Sequence, residues 1–392
     1  MDKTKKIALV ELAMHNEVLS NYAHLLLAGG FELTIFTNGF NFSQILPMQE
    51  ELKWVLQQSD ETNPQFAERI KPQLAAYSLV IFTTIENHIS FFKSFSITPP
   101  KALVVHKLNM FINPRKSFLF NEDRVQWFKD LVKIVRYQVF NEKKLFLDFI
   151  KSFDHLIFPS EHVQQFLVEQ EWDKGLPSHS VINFAIHEQL AIPPSTSGVV
   201  NITIPGIISS KSRDYKVVLD AFRKITLSRP VKLRLLGRPK GRYGQRIVRG
   251  FRALKQANLE VVFYDQFVEQ AEFDEVLKQS DFLILPISRY MKVSIFKELN
   301  GFTCVSGNIN DMMRFGIPSI IAGFYPLPKG LQALTSPFNN ALELRTLVES
   351  WVEQKLYLEK RTNAEDALFP YQLQELAKRV KQQFIFSKYL SH

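Results

Sequence analysis

The stretch KELNGFTCVSGNINDMMRFGIPSIIAGF, Lys297–Phe324, contains a turn, a helix and a strand in close succession. Ser306-Gly307-Asn308 supplies a tight turn with N-cap candidates, and Asn310–Phe315 is predicted as a short helix. Gly316-Ile317-Pro318 stops that helix, and Ser319–Ala322 is predicted as a buried parallel strand. A helix start built of small residues leaves backbone N–H groups able to face a phosphate, and the helix dipole favours an anion there. Asp311, one turn in, is placed to accept hydrogen bonds from a ribose. Taken alone the stretch is equally an ordinary strand–turn–helix–strand unit, since one glycine turn is weak evidence.

The segments upstream repeat the pattern. Val200–Pro205 (VNITIP) runs into Gly206, Ser209, Ser210, Lys211 and Arg213, and then into a helix predicted over Lys216–Thr226. Glycine, paired serines and two cations between strand and helix give a diphosphate close backbone approach, hydroxyl donors and fixed positive charge. Val231–Leu236 leads to Gly237 and Arg238, Leu259–Tyr264 to Asp265-Gln266-Phe267, and Phe282–Pro286 to the loop 288–296. Each strand is followed by a helical segment, which predicts an α/β domain with a doubly wound parallel sheet.

The first half repeats the arrangement. Lys6–Glu11 (KIALVE) is a strand, and Asn16 is a cap candidate for a helix carrying Leu19, Tyr22, Ala23 and Leu26. Gly29-Gly30 ends the helix, and Phe31–Phe36 is the next strand. Leu79–Thr84 and Lys101–His106 follow, then Leu156–Ser160 and Ser180–Asn183. Ligands of such sheets gather at the carboxyl ends of strands. Three of those ends carry histidine with amide or charged neighbours: His15, Asn16 and Glu17; Glu86, Asn87 and His88; His106, Lys107 and Asn109. Scattered groups of this kind suit sugar hydroxyls or acid–base work by one histidine. No metal site is expected, because no H-x-x-H or comparable spacing accompanies them.

Composition sets the outer limits. A chain of 392 residues is long enough for two cores, with 191–198 (AIPPSTSG) as the clearest linker. The single cysteine, Cys304, excludes an internal disulfide and fits a reducing compartment, hence a cytoplasmic setting. The opening apolar run is broken by Glu11, so it reads as a strand and not a signal peptide, and no apolar run is long enough to span a membrane. With 48 Lys+Arg against 39 Asp+Glu the chain is basic, suiting phosphorylated substrates or anionic lipid headgroups. Residues 121–150 set Arg124, Lys129, Lys133, Arg136, Lys143 and Lys144 among Trp127, Phe128, Tyr137 and Phe140. Such a helix could lie at the inner face of the plasma membrane as a peripheral contact; the more ordinary arrangement packs its aromatics inward and solvates its lysines. Arg242, Arg246 and Arg249 share a helix face suited to an acidic surface. Without aromatic interleaving or zinc spacing, no nucleic-acid partner is expected.

Four segments of the second half resemble, in order and spacing, glycosyltransferase family 4, the glycosyl transferases group 1 domain. Gly206–Phe222 resembles "G-R-L…K-G…L-L-x-A-F", with Arg213 at the phosphate-binding lysine and Ile207 in place of the usual arginine. Leu235-Leu236-Gly237 resembles the "l-v-G-x-G" turn, Phe273–Pro286 the "a-D-v-x-v-l-P" segment, and Asp311–Pro318 "E-A-m-a-x-G-x-P". Thr303 stands where the family has a sugar-contacting glutamate, and Glu298 would substitute only through a rearranged loop. The resemblance implies a GT-B fold, two Rossmann-like doubly wound domains facing a central cleft. The boundaries are then 1–190 for the acceptor side, 199–367 for the donor side, and 368–392 for a helical tail crossing back.

It further implies a retaining, metal-independent glycosyltransferase without a cofactor. The enzyme would move a sugar from a UDP- or GDP-sugar to a glycan or lipid-linked acceptor, in bacterial surface polysaccharide synthesis. Expected catalytic residues are His106, Arg213 and Asp311. Gly206, Ser209, Ser210, Lys211, Gly237, Arg238, Phe267, Ser306, Gly307 and Asn308 would bind the donor. His15, Asn16, Glu17, Glu86, Asn87, His88, Lys107 and Asn109 would meet the acceptor. A sugar-nucleotide epimerase of the same fold and a non-catalytic scaffold subunit are the alternatives.

Overall fold

The computed structural model describes residues 5–45, 48, 50, 52–112, 118, 124–139, 142–186, 198–383 and 388. The chain forms two compact units. Unit 1 comprises Met1–Ala185, Val293–Glu298 and Tyr371–His392; unit 2 comprises Ile186–Lys292 and Leu299–Pro370. Of the expected linker only Gly198 is among the described residues.

Unit 1 is built on a seven-stranded sheet of β1 (Lys6–Glu11), β2 (Glu32–Thr37), β3 (Lys53–Leu56), β4 (Leu79–Thr84), β5 (Lys101–Val104), β6 (His155–Phe158) and β7 (Ser178–Val181). The spatial order is β3-β2-β1-β4-β5-β6-β7, with every pairing parallel. β4 and β6 are buried end to end, as befits strands covered by helices on both faces. The helix Asn16–Ala28 turns Leu19, Tyr22, Ala23, Leu25 and Leu26 into the core. Asn16 does not cap it: His15 holds the N-cap position, and its side chain makes no cap bond. The helix Leu373–Gln382 packs Leu376, Ala377 and Val380 into the same cluster.

The basic-aromatic region forms two helices, Arg124–Val139 and Glu142–Lys151. The expectation that its aromatics pack inward is met by Tyr137, 1% exposed, and not by Phe128, 62% exposed.

Unit 2 carries β8 (Val200–Pro205), β9 (Val231–Leu236), β10 (Leu259–Phe263), β11 (Phe282–Leu285), β14 (Ser319–Ala322) and β15 (Thr335–Phe338), in the order β10-β9-β8-β11-β14-β15. Trp351, 1% exposed, meets Phe282 edge-on at 5.0 Å in its core. The remaining strands, β12 (Tyr290–Val293) and β13 (Phe296–Leu299), pair in a two-stranded ribbon. In each main sheet the order reverses beside the first strand, between β1 and β4 and between β8 and β11. That reversal opens a crevice at the carboxyl ends of the strands.

Candidate functional site

In unit 2 the crevice lies at the end of β8. Gly206 takes φ +93°, a conformation open to glycine, and the Arg213 guanidinium rests on its α face. A Cβ on Gly206 would stand 2.2 Å from Arg213 Nη2 and 2.6 Å from Cζ. The neighbouring turn closes from the other side: a Cβ on Gly237 would stand 2.4 Å from the Gly206 carbonyl oxygen. Tyr215 Oη donates to that same carbonyl at 2.9 Å.

Arg213 is held along its edge. Its Nε donates to Asn308 Oδ1 at 3.0 Å, and Nη1 lies 3.5 Å from Ser212 Oγ. Asn308, itself buried, donates through Nδ2 to the Pro205 carbonyl at 3.1 Å and towards Asp311 Oδ2 at 3.4 Å. The helix carrying both runs Gly307–Phe315, three residues longer at its start than the periodicity predicts. Gly316 closes it in the left-handed conformation at φ 57°. Ser306 occupies the N-cap without a side-chain cap bond, no acidic residue stands in the first turn, and a Cβ on Gly307 would meet nothing within 4 Å. The helix start is therefore open to an approaching anion and positive in sign.

The structure thus gathers Gly206, Arg213, Gly237, Ser306, Gly307, Asn308 and Asp311 in one place. Ser209 is buried in the same loop, while Ser210 and Lys211 are exposed on it. Arg238 meets the loop through its backbone carbonyl, which accepts Ile208 N–H at 3.1 Å, and its side chain is exposed. Phe267, 66% exposed, stands beyond β10, and no described contact joins it to Arg213.

In unit 1 a cavity of about 540 Å³ lies at the ends of β1, β4 and β5. His15, Glu86, Asn87, His88, His106 and Lys107 all line it. His15 and His106 meet edge to face, with ring centres 5.6 Å apart. His106 Nε2–H donates to the Thr83 carbonyl at 2.8 Å, which leaves Nδ1 as the ring's acceptor, and His15 Nδ1 pairs with Thr84 Oγ1 at 2.9 Å. Burial, assisted by the neighbouring His15 and Lys107, pushes His106 down to about 4. Burial also lowers His15, so both rings are neutral near pH 7. Burial pushes the Glu86 carboxyl up, yet its bond to Lys107 and the Lys107 charge bring it below its ordinary value. His88, at φ 55°, is one of the few non-glycine residues in the left-handed region.

Asn16, Glu17 and Asn109 do not line this cavity. Asn109 is turned towards Lys297 and Glu298. Its Nδ2 donates to the Lys297 carbonyl at 3.0 Å, and its backbone N–H, with that of Met110, donates to the Glu298 carboxylate at 3.1 and 2.9 Å. Glu298 is wholly buried and holds the start of the helix Leu108–Ile112. Thr303 is likewise tied to its own turn, its Oγ1 accepting Leu299 N–H at 2.7 Å.

Glu11 and Thr83 extend the group beyond what the sequence suggested. The β1–β4 register slips between Val10 and Glu11, so Thr83 bulges and its Oγ1 donates to Glu11 Oε2 at 2.7 Å. Burial outweighs the bonds from Thr83 and Ala13 and raises the Glu11 carboxyl to about 7. One signal was available, a glutamate closing an apolar strand.

No family model matches the sequence, and no curated protein matches it. Solved structures do share its architecture. HepE from Anabaena in complex with UDP-glucose is 12% identical at TM-score 0.59, over 96% of this chain and 98% of that one. The lipopolysaccharide outer core galactosyltransferase WaaB is 12% identical at TM-score 0.57, over 98% and 99%. The N-terminal domain of Candida albicans trehalose-6-phosphate phosphatase is 11% identical at TM-score 0.59, over 100% and 98%. The two parallel-sheet α/β units are therefore those of the GT-B fold. Among the described residues, no helix is long and apolar enough to cross a membrane.

Proposed function

We propose that this chain is a glycosyltransferase that takes its sugar from a nucleoside-diphosphate sugar, of UDP or GDP type, and adds it to a glycan or lipid-linked acceptor. The observation that carries the reading is the Arg213 guanidinium, seated on glycine and aligned by Asn308 beside an uncapped helix start. A fixed cation and open N–H groups meet a diphosphate that gains charge as its bond to the sugar breaks, and each such donor is commonly worth a few kcal/mol. In this reading the leaving group needs no metal, Asp311 takes the ribose, and the sequence resemblance implies retention at the sugar carbon. HepE, a fold neighbour, binds UDP-glucose, which favours UDP over GDP.

The acceptor belongs to unit 1, whose cavity offers neutral imidazoles and two ion pairs, Glu86 with Lys107 and Arg136 with Glu142, to sugar hydroxyls. At about 4 the His106 ring is a poor proton acceptor near neutrality, which favours a positioning role over general-base work. The test is thermal stabilisation against UDP, GDP, ADP and their sugars. A ligand at about 100 times its Kd adds roughly 2.7 kcal/mol, a visible shift in Tm. The reading expects one nucleotide to stand out and its effect to vanish in Arg213→Ala and Asp311→Ala. A flat panel overturns it.

A further inference from the structure

The helix Arg124–Val139 presents three distinct faces. At about 100° per residue, Asp130, Ile134 and Tyr137 fall within an arc of about 60°, and these are the buried positions. Phe128, Val132, Val135 and Val139 fall in a second such arc, and they are 62%, 54%, 53% and 71% exposed. Lys129, Lys133 and Arg136 make the third, all exposed and bordering the apolar stripe along its length. Trp127, 43% exposed, falls about 80° from the stripe, beside the buried arc.

Four large apolar side chains in a row on a solvent-facing helix are not what a free surface carries. An amphipathic helix lying in a bilayer interface has this composition: apolar side chains towards the acyl region and a basic row at the headgroups. We infer that this helix docks unit 1 onto an anionic lipid surface, with Phe128, Val132, Val135 and Val139 inserted and Lys129, Lys133 and Arg136 on the headgroups. Charge decides the occupant. A second copy seated on the stripe would bring two basic rows together, on a chain already carrying a formal net charge of +9. An anionic bilayer neutralises that row.

The contact has a consequence within unit 1. Lys133 and Arg136 also line the cavity that holds His15 and His106, together with Met110, Phe111, Phe146 and Ile295. A docked helix therefore sets that cavity beside the lipid surface, where a lipid-borne molecule can enter it without leaving the bilayer. The docking itself requires no donor chemistry and stands or falls independently of the proposed transfer.

The experiment is flotation of the full chain with phosphatidylcholine vesicles, with and without phosphatidylglycerol. The wild-type chain is expected to float with the anionic vesicles only, and less so as salt rises. Replacing Phe128, Val132, Val135 and Val139 together by serine is expected to cut binding by about tenfold or more while leaving Tm unchanged, because none of the four is in the core. Trp127 fluorescence gives a second readout on the intact protein. Brominated anionic lipid should quench it, and the quenching should be lost in Trp127→Phe. A wild-type chain that stays in solution with anionic vesicles, or a serine variant that floats equally well, overturns the inference. So does a wild-type dimer that the serine substitutions dissociate while vesicle binding persists.

Discussion

Gly206→Ala isolates the physical basis of the donor reading in one methyl group. At φ +93° an alanine costs about 1–2 kcal/mol of backbone strain. The new Cβ would fall 2.2 Å from Arg213 Nη2, so the guanidinium must lift, and lifting breaks the 3.0 Å bond from Nε to Asn308. That bond adds about 1 kcal/mol, for a total near 2–3 kcal/mol, or about 4–12 °C in Tm for a unit of this size. Nucleotide binding should suffer separately. A displaced guanidinium forfeits a charged hydrogen bond of about 1.5–3 kcal/mol, which is about 10- to 100-fold in Kd.

The assay is calorimetric titration with whichever nucleotide most stabilises the wild type, paired with a melting scan. Arg213→Ala is the control: it should lose comparable affinity and fall less in Tm, since it carries no backbone strain. A Gly206→Ala protein that binds the nucleotide as tightly as wild type would refute the claim that the seated guanidinium is the anion's partner. An unchanged Tm would refute the strain.

Three further outcomes are expected. Glu298→Ala should cost about 2–5 kcal/mol in urea unfolding, because the Asn109 and Met110 N–H groups lose their acceptor, and Glu298→Gln should cost about half as much. Trp351→Ala should cost about 3–5 kcal/mol through the cavity left against Phe282, read in the same way. The third outcome concerns pH. His106 and His155, both held near 4 against an ordinary 6.5, contribute stability that is complete above pH 6.5 and lost as pH falls towards 4. Glu11, held near 7 against 4.5, contributes stability that is complete below pH 4.5 and lost as pH rises through 7. Between pH 4.5 and 6.5 the slopes oppose, so in melting scans Glu11→Gln should steepen the rise of Tm with pH and His106→Asn should flatten it.

How much the sequence reveals follows from how local each signal is. The strands β1, β4, β8, β9 and β14 are readable to the residue, because each is an apolar run bounded by polar loops. β3 and β15 are not: both lie at a sheet edge, β3 is only half-buried, and β15 contains Pro337. The glycine and cation loop of unit 2 is legible because its chemistry sits in one short segment. Tyr215 under Gly206 and Tyr325, whose Oη accepts Ser306 N–H at 3.2 Å, carry no such mark. Glu11 owes its raised pKa to burial, and the Thr83 hydroxyl that bonds it, 72 residues away, reaches it through a register slip that no local pattern encodes. Asn109 follows a strand, which points it to the acceptor side, but its partner lies 189 residues on. The exposed stripe of Arg124–Val139 has the converse difficulty, since periodicity shows an apolar face but not whether anything covers it.

The two crevices stand at the same topological position and are electrostatically unlike. Unit 2 fixes a permanent cation, because arginine stays protonated at any working pH and glycine lets it approach the backbone. Unit 1 strips charge from the groups at its strand ends: burial lowers both histidines and raises Glu11, and the charged groups Glu86 and Lys107, and Arg136 and Glu142, are paired with each other. A diphosphate would gain little from neutral imidazoles, and a sugar hydroxyl would gain little from an isolated guanidinium. The physical chemistry of each crevice therefore suits a different part of the proposed transfer, an anionic leaving group in unit 2 and neutral hydroxyls in unit 1.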